Sequence, residues 1–181
     1  MAFSLQLTES STAVADACRT VEQVLATISE LYELTLSVEL MQDFDSVPEG
    51  EKNRVIKRTY ASYRHSIKTI AINKSTFLPL SPKIQQAVIA HEVGHAWAHL
   101  PSSSRVLLAY KTLGANGEEF LADRLACKWG FTEGLYAERN TSLGLEYVDA
   151  LQCWENETDY CEAMTKWHNQ YLAGIIRRKL A

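Results

Sequence analysis

Hydrophobic positions at the start of the chain follow the period of a helix and then that of a strand. In residues 11–34, apolar side chains recur every three or four positions, as on the buried face of an amphipathic helix. Over 34–41 apolar and polar residues alternate, as they do in a half-buried strand. Segments 54–63 and 65–73 are two further strand candidates, and their short connections favour antiparallel neighbours. We therefore expect a helix that covers a small, mostly antiparallel sheet of about three strands.

From residue 81 onwards the pattern becomes helical. Ser81 followed by Pro82 is a strong helix start, because the hydroxyl can cap the first turn and proline at the first position loses no needed N–H. The helix is expected to continue to about Leu100, since Pro101 cannot extend it.

The rest of the chain, from residue 101 onwards, is also predicted to be mostly helical. Residues 101–117 read as a loop with room for a short helix, and a helix over 118–129 is closed by Gly130 at its C-terminal cap. Residues 144–180 form one long helix or two shorter ones. The order of helix, strands and helices predicts an α+β domain spanning 1–181, in which 144–181 is a helical C-terminal extension that could lie across a cleft.

Composition narrows the function classes. Hydrophobic residues make up 46% and charged residues 22% of the 181 positions, as in ordinary globular proteins. A net charge of −4 gives no reason to expect nucleic-acid binding, and no stretch approaches the ~20 apolar residues of a membrane span. The first residues lack a secretory signal pattern, so a cytoplasmic location is expected. The four cysteines form no CxxC pair and are expected to be buried or half-buried thiols.

The segment VIAHEVGHAWAH, residues 88–99, places histidines and a glutamate in an apolar helix. His91 and His95 are four residues apart, so their rings lie one above the other and can hold one Zn²⁺. Glu92 is about 100° further around the helix, where a carboxylate can take a proton from zinc-bound water. This spacing is the HExxH pattern of zinc hydrolases. His99, eight residues from His91, is a poor candidate for the same ion and is expected at the rim.

A third protein ligand is needed if one zinc position is to remain open to water. Glu119 can reach the metal, while Asp123, four residues on, can accept the free N–H of a ligand histidine and fix its tautomer. Glu118 competes for the ligand role, but it has Ala122 four residues on, so the ligand-plus-orienter pair works only in the Glu119 register.

The two motifs, HExxH at 91–95 and ExxxD at 119–123 within EEFLADRLA, resemble those of the gluzincin metallopeptidases. Within that group the chain is similar to the small soluble minigluzincins, the HtpX-like catalytic domains and the ImmA/IrrE group, over about residues 66–130. The resemblance implies a zincin-like fold in which the strand at about 67–72 receives substrate as an added strand. It also implies Glu92 as general base, Asp123 beside the ligands, and three zinc ligands: His91, His95 and Glu119.

These residues predict a zinc-dependent peptidase that binds one Zn²⁺ and acts on a peptide or protein, with a zinc-activated water as nucleophile and Glu92 as base. Two alternatives stay open: a regulatory protease specific for one protein partner, and a non-catalytic zinc-dependent binding module. The downstream candidates for stabilising the oxyanion are Tyr136, Arg139, Tyr147 and His168.

Overall fold

The computed structural model describes residues 12–28, 36–41 and 60–180. It is an α+β structure with one three-stranded sheet, which agrees with the predicted fold class. The predicted helix over 11–34 and the predicted strand over 54–63 both extend outside the described residues. The elements are α1 (Thr12–Thr27), β1 (Ser37–Met41), β2 (Ala61–Arg64), β3 (Thr69–Asn73), α2 (Lys74–Phe77), α3 (Pro82–Ala98), α4 (Ser104–Lys111), α5 (Gly117–Lys128), α6 (Thr132–Ser142), α7 (Leu145–Leu151) and α8 (Glu157–Leu180).

The sheet is mixed, with the strand order β1-β3-β2. β2 and β3 are antiparallel, with Tyr63 opposite Ile70, but β1 runs parallel to β3, with Val38 also opposite Ile70. The prediction of a mostly antiparallel sheet is therefore wrong for β1. Residues 42–68 separate β1 from β3, which is long enough for the chain to return and run in the same direction.

β3 is the central strand, and this corrects the predicted site of substrate pairing. The strand expected at 67–72 begins at Thr69, because His65–Ile67 form a 3₁₀ turn and Lys68 adopts a positive φ of 50°. Both sides of β3 are paired, with β1 on one and β2 on the other, so it cannot accept an added strand. Within the described residues, β2 is the edge strand nearest to α3.

α3 is the central helix of the fold. Residues 87–94 are all buried, because α3 packs against α1, β2, α5 and α6 on its different sides. Its start at Pro82 confirms the predicted position, although the Ser81 hydroxyl makes no capping hydrogen bond, and the helix ends at Ala98 with His99 as its cap. The histidines and Glu92 of the HExxH segment are thus carried by a helix that is packed on several sides.

Gly94 permits the close approach of α5 to α3. A methyl group on Gly94 would lie 2.9 Å from Ala122 Cα and 3.1 Å from the Ala122 carbonyl oxygen, closer than carbon atoms normally pack. The two helices therefore meet at backbone contact distance at the level of the HExxH segment.

We expect Gly94→Ala to destabilise the protein by about 1–3 kcal/mol, because the added methyl must push α5 away from α3. The measurement is the free energy of unfolding in urea. In an uncrowded helix, glycine to alanine is stabilising by up to about 1 kcal/mol. The sign of the change in the free energy of unfolding therefore distinguishes the two cases. A variant more stable than the wild type would contradict the close approach of α5 to Gly94.

The helices after α5 pack onto the same core. α5 ends as predicted, with Gly130 at a φ of 94° and the Phe131 N–H bonded to the Ala126 carbonyl. Residues 144–180 form two helices, α7 and α8, joined by a 3₁₀ turn. α6 lies in a segment for which the hydrophobic pattern gave no helix. Buried residues of α7 and α8 that join the core are Tyr147, Leu151, Tyr160, Met164 and Trp167.

Among the described residues no helix combines the length and apolarity needed to cross a membrane. All four cysteines are free thiols, as predicted: Cys18 and Cys127 are buried, and Cys153 and Cys161 are half-buried.

Candidate metal centre

The two histidines of the HExxH segment point their ring nitrogens at the same place. His91 Nε2 and His95 Nε2 are 3.1 Å apart, and the rings are nearly perpendicular. His91 is buried and His95 is mostly buried, because α3 is enclosed at this level. The predicted pairing of the two imidazoles is therefore present.

Glu119, in the first turn of α5, completes a triangle with this pair. Its Oε2 lies 3.3 Å from His91 Nε2, and its Oε1 lies 3.5 Å from His95 Nε2. The Glu119 side chain is 56% exposed, so the triangle opens towards solvent on the carboxylate side. These three residues are a group whose ligand atoms could hold a metal ion.

The size of the triangle fits a zinc ion. Ligand atoms bonded tetrahedrally to zinc at ~2.0–2.2 Å lie roughly 3.3–3.6 Å from one another. The three spacings in the protein are 3.1, 3.3 and 3.5 Å. Two histidines and a glutamate form a donor set of catalytic zinc sites, in which a fourth position remains open.

Asp123 fixes the orientation of His91. The His91 Nδ1–H donates to Asp123 Oδ1 at 2.6 Å, which leaves the Nε2 lone pair directed at the triangle. Asp123 is fully buried and is held in turn by two further donors. Arg139 donates from Nε to Oδ2 at 2.9 Å and from Nη2 to Oδ1 at 2.6 Å, and the Tyr147 hydroxyl donates to Oδ2 at 2.5 Å. Burial opposes ionisation, but the charges of Arg139 and His91 outweigh it and hold the pKa of Asp123 well below its usual range.

The lone pairs that converge on the triangle repel one another unless a positive charge lies at its centre. The Nε2 lone pairs of both neutral imidazoles and the carboxylate of Glu119 would otherwise face one another at contact distance. Burial disfavours a charged His91, yet the charge of Asp123 outweighs that effect and raises the pKa of His91 to about 10. Hydrogen bonds from His91 and His95 hold the pKa of Glu119 well below its usual range. The site therefore attracts a proton or a cation.

Glu92 is buried between the histidines and the edge strand. The Tyr63 backbone N–H donates to Glu92 Oε2 at 2.7 Å. The Tyr60 carbonyl accepts from Asn73 N–H, so the alternation of an antiparallel pair turns the backbone groups of Ala61 and Tyr63 away from β3. The free side of β2 thus meets Glu92 beside the triangle.

Glu118 lies on the other side of His95. Its Oε1 is 3.4 Å from His95 Nδ1 and accepts a hydrogen bond from His99 Nε2 at 2.7 Å. The ring of His65 packs against His99 with 4.1 Å between centroids. Hydrogen bonding to His95, opposed by burial and assisted by His99, lowers the pKa of Glu118 to about 2. Glu118 therefore contacts the far nitrogen of His95 and is not part of the triangle, and His99 lies at the rim as predicted.

The four downstream residues named as oxyanion candidates have the following surroundings. Arg139 and Tyr147 both donate to Asp123, behind His91. His168 accepts from Asn116 Nδ2 at 3.0 Å and packs against Phe120, between α5 and α8. Tyr136 is half-buried on α6, and burial raises its pKa to about 12.

Two interactions at the site had no signal in the sequence: the bond from the Tyr63 N–H to Glu92 and the bonds from Arg139 to Asp123. The Tyr63 N–H is a backbone group, and only the tertiary placement of β2 brings it to Glu92. Arg139 lies on α6, and its bond to Asp123 spans 16 positions of the chain. Its neighbour Glu138 is buried beside it and accepts from Arg139 Nη1 at 2.9 Å. The adjacent opposite charges at 138–139 are common on exposed helices, so the pattern does not distinguish a buried pair.

Comparison with models of protein families, with curated proteins and with solved structures finds no match to this chain. The resemblance to gluzincins stays a prediction that depends on the motifs at 91–95 and 119–123. The structure itself defines an α+β protein with a candidate metal centre between α3 and α5.

Proposed function

We propose that the protein is a zinc-dependent peptidase of the gluzincin type, acting on an extended peptide or protein segment. The observation that carries the proposal is the triangle of His91, His95 and Glu119, whose dimensions suit zinc, with Glu92 buried beside it. A structural zinc site is usually closed by four protein ligands, whereas three ligands and an adjacent carboxylate suit hydrolysis.

Each residue has a distinct task in this proposal. His91, His95 and Glu119 would hold the zinc ion, which would supply a Lewis acid for the carbonyl and lower the pKa of water. Glu92 would take a proton from the attacking water and return it to the leaving amine. The Tyr63 N–H holds Glu92 Oε2 in place, which favours proton transfer at the other oxygen. Asp123 keeps His91 in the tautomer that offers Nε2.

The edge of β2 is the proposed place for substrate. The outward N–H and carbonyl of Ala61 and the carbonyl of Tyr63 would pair with an extended chain, while the Tyr63 N–H stays with the carboxylate of Glu92. β2 replaces the central strand β3 in this role, since β3 is paired on both sides.

Metal content and peptide digestion test the proposal together. We expect about one zinc per chain, cleavage of a random peptide library, loss of cleavage on chelation, and recovery on adding zinc back. Glu119→Gln should lower zinc affinity, because a neutral amide is a much weaker ligand than a carboxylate. The matched control is Glu146→Gln on the exposed side of α7, which should bind zinc as the wild type does. A wild-type protein that takes up no zinc would refute the proposed function.

A further inference from the structure

Glu118 contacts two imidazoles with one oxygen. Oε1 lies 2.7 Å from His99 Nε2 and 3.4 Å from His95 Nδ1. His95 and His99 are one helical turn apart on α3, so a carboxylate arriving from α5 can face both rings. The side chain of Glu118 is 30% exposed, so it is half-buried at the edge of the contact between the two helices.

The contact with His95 is on the nitrogen that faces away from the triangle. His95 Nε2 points at His91 and Glu119, and Nδ1 points at Glu118. An acceptor at Nδ1 keeps the proton there and leaves the Nε2 lone pair free to bind metal. His91 has a shorter contact of this kind, in which its Nδ1–H donates to Asp123 Oδ1 at 2.6 Å. One helix, α5, thus supplies a separate carboxylate to each ligand histidine and a third carboxylate to the triangle.

We propose that Glu118 is a positioning residue that fixes the tautomer and ring orientation of His95 for metal binding. The inference rests on the proposed zinc centre. His99, whose ring packs against His65, donates to the same Oε1 from the rim side, and Glu118 contacts His95 without joining the triangle.

A simpler role for Glu118 exists, because acidic residues in the first turn stabilise a helix through its dipole. Glu118→Asp separates the two roles. Aspartate keeps the negative charge at the start of α5, but it is one methylene too short to reach His95 Nδ1. His99→Phe is the matched variant, since it keeps an aromatic ring against His65 and removes the N–H that competes for Oε1.

The experiment measures the zinc dissociation constant by competition with a chromophoric chelator, and the thermal midpoint of the zinc-free protein. For Glu118→Asp we expect zinc binding to weaken about 10–100-fold, as for other groups that orient a ligand histidine, with the zinc-free midpoint unchanged. His99→Phe should bind zinc within about threefold of wild type.

Zinc binding by Glu118→Asp within twofold of wild type would overturn the proposal and leave Glu118 as a helix-dipole residue. An equal loss in His99→Phe would also overturn it, because Glu118 would then act only by holding His99. Failure of the wild type to bind zinc is a different outcome, since it refutes the metal centre itself.

Discussion

Glu92→Gln should bind zinc as tightly as the wild type and cleave peptides about 10²–10⁴-fold more slowly, the usual contribution of a general base. Glutamine removes the proton acceptor but keeps a carbonyl oxygen for the Tyr63 N–H, so the packing around the side chain is preserved. None of the three triangle residues is altered, which is why metal affinity should not change. The measurements are zinc stoichiometry and kcat/KM on one peptide from the library digest.

The variant Glu146→Gln is the control for loss of one exposed carboxylate, and it should cleave at the wild-type rate. Undiminished cleavage by Glu92→Gln would show that Glu92 is not the base. A zinc-dependent binding module predicts that the wild type holds zinc and that neither it nor Glu92→Gln cleaves any peptide. A protease specific for one partner predicts cleavage of that partner but not of the library.

Arg139→Met should destabilise the protein by about 3–5 kcal/mol, because it leaves buried carboxylates without their cation. Asp123 is 1% exposed and Glu138 is 5% exposed, and Arg139 donates to both. Methionine fills much of the volume of the arginine side chain. The loss of stability therefore comes mainly from the missing charge and less from a cavity. Chemical denaturation in the presence of a chelator measures the effect without a contribution from bound zinc.

Lys83→Met is the matched control for Arg139→Met. Lys83 forms an ion pair with Glu133 between α3 and α6, the two helices that carry His91 and Arg139. Both side chains of this pair are largely exposed. Water screens such a pair, so its loss should shift the unfolding midpoint very little. A shift for Arg139→Met no larger than this control would contradict the structural role assigned to the buried cluster.

The part of the site that the sequence predicted is the part governed by helix geometry. A separation of four residues places His91 below His95 in any α-helix, whatever the rest of the fold does. The same rule selected Glu119 over Glu118, because only Glu119 has an acid four residues further on, at Asp123. The two ends of α5 were also predicted from residues close in sequence, namely the acidic first turn and Gly130 after the last turn.

The parts that sequence did not predict depend on contacts between distant segments. Side chains alternate with a period of two in parallel and antiparallel strands alike, so the sequence pattern did not predict that β1 runs parallel to β3. The selection of β2 as the free edge follows from that pairing, and with it the Tyr63 N–H bond to Glu92. Arg139 was named from the sequence only as a candidate oxyanion donor, and its bonds to Asp123 were not predicted because a buried cation is recognised only by the acids around it.

All three acids that meet the histidines come from α5, and α5 touches α3 at Gly94 with no side chain between the backbones. The histidine pair belongs to α3 alone, whereas the carboxylates of Glu118, Glu119 and Asp123 arrive when α5 docks. Zinc binding should therefore depend on how closely α5 packs against α3. A bound ion would in turn resist separation of the two helices.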